Sequence, residues 1–60
     1  MLDKIRKLAK EKGLSISRLE KEAGLSNGSV GKWDKAHPYI GNVAKVAAVL
    51  EVSIDELFKE

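Results

Sequence analysis

Sixty residues without a cysteine, 43% hydrophobic and 33% charged, suffice for one small domain over residues 1–60. They exclude a second core, a disulfide framework and a membrane span, the apolar stretches (Val46 to Leu50, for example) being far too short for a bilayer. The net charge of +2 is unevenly spread: residues 1–35 carry nine Lys/Arg against five Asp/Glu, residues 36–60 two against four. A basic first half suggests an anionic partner such as nucleic acid, with a lysine-rich solvated surface as the plainer alternative. The opening Met1-Leu2-Asp3-Lys4 lacks an apolar leader, so a cytoplasmic, reducing compartment is expected.

Leu2, Ile5, Leu8 and Ala9 recur at helical spacing, predicting an amphipathic helix over residues 2–12 that ends at Gly13 in a left-handed cap. Ser15 is placed to cap a second, short helix whose inner face carries Ile16, Leu19 and Ala23, and Gly24 breaks it. Leu25 points inward. Ser26 is a plausible cap for a third helix, Asn27 to about Lys35, with Val30 and Trp33 inside. Pro38 makes residues 36–39 a loop. Ile40, Val43, Val46, Ala47 and Leu50 then share one face of a fourth helix, the 3.6 period outweighing the strand preference of its valines. Ser53 and Glu56 form a capping box for a last helix, 54–59, carrying Ile54, Leu57 and Phe58. Five helices account for nearly the whole chain, with no sheet, repeat or low-complexity stretch.

The second and third helices, joined through Gly24-Leu25-Ser26, have helix-turn-helix geometry. The glycine lets the third helix leave steeply, and Leu19, Ala23, Leu25, Val30 and Trp33 pin the two together. The outer face of the third then holds only Asn27, Gly28, Ser29, Gly31 and Lys32, small or polar residues that allow close approach to a groove floor.

In this order and spacing the chain resembles the phage-repressor and Cro-like (Xre-type) helix-turn-helix transcriptional regulators over almost its full length. Lys10-Glu11-Lys12-Gly13-Leu14-Ser15 is similar to the end of the family's first helix and Gly24-Leu25-Ser26 to its turn. Ser26-Asn27-Gly28-Ser29-Val30-Gly31-Lys32-Trp33 resembles a recognition helix, and Val52-Ser53-Ile54-Asp55-Glu56-Leu57-Phe58 the closing helix. The resemblance implies an all-α, compact five-helix lambda-repressor-like DNA-binding domain that dimerises on a pseudo-palindromic operator, with its third helix in the major groove. Four positions depart from the family pattern. Ile16 replaces a DNA-contacting glutamine, leaving Ser15 or Ser17 to supply part of that phosphate contact. Glu20 replaces an alanine between the helices, so its carboxylate is expected to escape to solvent. Ala23 is smaller than the usual leucine, and Tyr39 replaces a capping serine or threonine.

Within this frame Asn27 is a candidate to pair with adenine, Ser29 to meet a base edge or phosphate, and Lys32 to reach a guanine or phosphate; helix capping and simple solvation are the alternatives. Gly28 and Gly31 each cost a helix about 1 kcal/mol relative to alanine, which close approach to DNA would explain. Lys35, Tyr39 and Asn42 cluster at the start of the fourth helix as backbone clamps on phosphate. Val49, Leu57 and Phe58 are candidates for a dimer patch, the alternative being that Leu57 and Phe58 close the core. Trp33 is expected in the core, and Lys4, Lys7 and Lys10 on a solvated face. His37 reads as a surface loop residue. With no convergent acid, base or nucleophile, neither catalysis nor a metal or cofactor is expected. The competing reading is a protein-interaction module of the same fold, antitoxin-like or binding an anti-repressor. Either a whole repressor or the DNA-binding domain of a longer one is compatible with the chain.

Overall fold

The computed structural model describes residues 1–34 and 38–59. Apolar spacing in the first segment produces α1 (Leu2–Glu11), which buries Leu2, Ile5 and Ala9 while Lys7 and Lys10 face solvent. Its end is a Schellman closure: Gly13 takes φ 73°, and the amides of Gly13 and Leu14 donate to the carbonyls of Lys10 and Ala9 at 3.0 and 2.8 Å. Ser15 starts α2 (Ile16–Glu22), its Oγ accepting from the Arg18 amide at 3.1 Å. The same closure ends α2, at Gly24 with φ 74°, and Leu25 donates to the Glu20 carbonyl at 2.8 Å.

The third predicted α-helix does not form. Asn27–Ser29 make a turn and Val30–Asp34 a 3₁₀ helix. Ser29 donates to the Ser26 carbonyl at 3.1 Å and Lys32 to the Ser29 carbonyl at 3.3 Å, both three residues back. The reason lies in α2. Glu20 does not escape to solvent but is 2% exposed. Its Oε1 accepts from the Gly28 amide at 2.9 Å and its Oε2 from the Val30 amide at 2.8 Å. An α-helix starting at Ser26 would give the Val30 amide to the Ser26 carbonyl; the carboxylate takes it instead. Gly28 meets the first oxygen with φ 89°, a left-handed conformation that costs an L side chain about 1–2 kcal/mol, so this glycine has a backbone reason to be here. Capping is thus done by Glu20 across the turn and not by the Ser26 hydroxyl. Among the described residues no buried side-chain oxygen or nitrogen lacks a partner.

The fourth predicted helix is α3 (Ile40–Leu50), burying Val43, Val46, Ala47 and Leu50. Ile40, expected on this face, is 55% exposed: it shares the angular direction of Ala47 but is the first residue of the helix, and the core begins only at Val43. α3 ends at Glu51, a non-glycine residue at φ 61°, whose carboxylate receives the Lys12 ammonium at 3.0 Å and so ties the ends of α1 and α3. The last helix, α4 (Ile54–Phe58), is capped by Ser53, whose Oγ accepts from the Glu56 amide at 3.2 Å. The other half of the predicted capping box is absent, because the Glu56 carboxylate turns to Lys4 on α1, Oε2 to Nζ 2.9 Å. Leu57 is fully enclosed by its own chain, whereas Phe58 is 55% exposed. Leu57 therefore closes the core and offers no dimer surface; Val49 and Phe58 keep some.

The described chain is all-helical, with four α-helices and one 3₁₀ helix in place of five α-helices. α1 packs on α2 and the 3₁₀ helix, and α3 on α2 and α4. Val30 and Leu19 are fully buried between them, fixing the 3₁₀ helix to the body. No helix among the described residues is long and apolar enough to cross a membrane.

Two stability predictions follow from these bonds. Hydrogen bonds to a charged group contribute about 1.5–3 kcal/mol each. Glu20→Ala, which removes two charge-assisted hydrogen bonds, should lower unfolding free energy in urea by about 3 kcal/mol, a large part of the roughly 3–9 kcal/mol open to a chain this size. Glu20→Gln keeps one acceptor oxygen and should lose about half as much; equal stability of both variants to the parent would contradict the bonding. At Glu56 the hydrogen bond from Lys4, then the charges of Lys4 and Lys59, hold the carboxyl below its ordinary 4.5 despite partial desolvation. A depressed folded-state value stabilises above the ordinary carboxylate range and is lost as pH falls through it. Glu56→Gln should therefore lower Tm near about pH 7 and leave it unchanged near about pH 2; a constant difference across that window would contradict the pairing.

Candidate nucleic-acid interface

Val30 anchors the 3₁₀ helix by its inner side, with Trp33 half-buried against the core. This leaves Asn27, Gly28, Gly31 and Lys32 exposed and Ser29 half-buried. The sequence-predicted base-reading residues thus stand on one short strip of surface. Gly31 adopts no left-handed conformation, and a Cβ there would meet nothing within 4 Å, so nothing in the chain itself requires glycine at this position.

Beside the strip, a cleft lies between the start of α2 and the turn, lined by Ser15, Ser17, Arg18, Glu20, Lys21, Leu25 and Asn27. It brings Ser15 and Ser17, the expected phosphate partners at α2, together with Asn27. The Ser15 oxygen already accepts the Arg18 amide, but its hydroxyl proton remains available to an anion. Arg18 and Lys21 were not singled out from the sequence. Both are exposed; Arg18 uses Nε to hold Glu22 Oε2 at 2.7 Å, while Lys21 and Lys32 have no ion-pair partner among the described residues. The signal was present as Arg18 and Lys21 three apart on one helix face, but only the fold shows that this face borders Asn27.

Tyr39 and Asn42 lie apart from this cleft, at the start of α3. Tyr39 gives no side-chain cap, leaving the positive end of the helix dipole to solvent or to an anion. Tyr39 is 73% exposed, and its ring lies along the helix start over Gly41, where a Cβ would come 2.5 Å from Cε2. Asn42 is half-buried. Lys35, the remaining phosphate candidate, and His37 lie outside the described residues.

A family model described as Cro/C1-type HTH DNA-binding domain matches residues 4–59. No curated protein and no solved structure matches the chain. The family match covers nearly every residue, from α1 through the cleft and the exposed strip to α4, and the chain belongs to the Cro/C1-type helix-turn-helix DNA-binding domains.

Proposed function

We propose that this chain is a sequence-specific transcriptional regulator of the repressor type, in which α2 and the 3₁₀ helix form the helix-turn-helix and residues 27–32 enter the major groove. The observation that carries this reading is the strip itself. Its side chains are small or polar and its lysine is unpaired among the described residues, while the opposite side is locked into the core at Val30. Asn27, Ser29 and Lys32 read base edges, with Gly28 and Gly31 admitting the backbone close to them. Ser15, Ser17, Lys21 and Arg18 hold phosphates at α2, and Tyr39 and Asn42 at the start of α3. The molecule works in the cytoplasm by occupying an operator and excluding polymerase.

One module buries only about 600–1,000 Å² on DNA, so useful specificity calls for two copies on half-sites about 34–36 Å apart. Val49 and the exposed Phe58 supply the apolar surface for that pairing.

Duplexes selected from a random pool provide the test. Asn27→Ala should lose about 1–3 kcal/mol of discrimination at one base position. Lys21→Ala should weaken binding to all sequences alike and reduce the log-log salt slope by about 1. A parent affinity that barely changes with salt would favour a protein partner over DNA.

A further inference from the structure

We propose that Glu20 is a positioning residue for base recognition: by taking the Val30 amide it holds the reading strip in 3₁₀ winding and so decides which side chains of the strip share one line. This rests on the DNA-reading assignment above. In 3₁₀ winding, residues three apart eclipse one another, at about 120° per residue against about 100° in an α-helix. Ser29, whose carbonyl accepts the Lys32 amide, opens the 3₁₀ helix, and Lys32 follows it by one three-residue turn. Three residues rise about 6 Å, close to two base steps of about 3.4 Å.

The alternative winding is within reach of this backbone. Without the carboxylate, the Val30 amide would turn to the Ser26 carbonyl, the first bond of an α-helix. Gly28, with no side chain and nothing within 4 Å of where one would start, can leave φ 89° for the α region. Lys32 would then swing by about 60° relative to Ser29. Glu20 itself is buried beneath the strip and touches no base, so its effect passes through the backbone it holds.

The experiment compares motifs selected from a random duplex pool by the parent, Glu20→Met and Glu20→Ala, below the melting temperature of each. The expected result is a changed motif at the positions that Ser29 and Lys32 address. With it goes at least a tenfold loss in the parent's preference for its best duplex over single-base variants, an order-of-magnitude figure for one good base contact. The salt slope should stay unchanged, since the phosphate contacts remain. A residue needed only for stability would lower affinity for every duplex equally and leave the motif alone. Should Glu20→Ala fail to fold, Glu20→Met, of similar length and with no acceptor oxygen, carries the comparison. An unchanged motif and preference in a folded variant overturn the proposal while leaving the DNA reading intact; a parent that selects no motif overturns both.

Discussion

A single carboxylate, buried in the last turn of α2 and shared between two backbone amides of the following turn, organises the segment from α2 through the 3₁₀ helix. The helix dipole disfavours a negative charge at that end, and burying an ion costs several kcal/mol unless its hydrogen-bonding capacity is met. Glu20 meets both demands with the Gly28 and Val30 amides, at 2.9 and 2.8 Å. The result is a cross-brace between two short elements, neither of which has enough length to be stable alone. From it follow the left-handed Gly28, the 3₁₀ winding of Val30–Asp34 and the outward presentation of Asn27 and Lys32.

Most of the architecture was legible because it is written locally. The period of Leu2, Ile5 and Ala9, the left-handed end at Gly13, the break at Gly24, the Ser15 and Ser53 caps and the span Ile40–Leu50 all depend on residues a few positions apart in the chain, and all appear where sequence reasoning places them. The departures share a different cause. Gly28 and Val30 are satisfied by a residue eight and ten positions earlier; no rule of helix caps looks that far back, and a glutamate where the family has alanine looked like a misfit. Glu56 likewise abandons its own capping box for Lys4, 52 positions away in sequence. Ile40 and Leu57 show that helical phase says which way a side chain points, whereas burial also depends on where along the helix the neighbouring elements stop.

For the candidate site the same division holds. The exposed strip could be read from the sequence because it is simply what remains once Val30 and Trp33 are turned inward. The cleft could not, since Ser15, Ser17 and Lys21 become neighbours of Asn27 only through the chain reversal at Gly24. The acids also fall into place in three dimensions: Glu51, Glu56 and Glu22 pair with Lys12, Lys4 and Arg18, and Glu20 lies beneath the surface.

Hydrogen exchange of individual backbone amides in the free protein reaches the brace most directly. If the carboxylate holds the turn, the Gly28 and Val30 amides are both protected in the parent, although no backbone carbonyl accepts either, and the Gly28 amide loses that protection in Glu20→Ala. Exchange at Val30 as fast as in an open loop in the parent protein would mean that the brace does not exist.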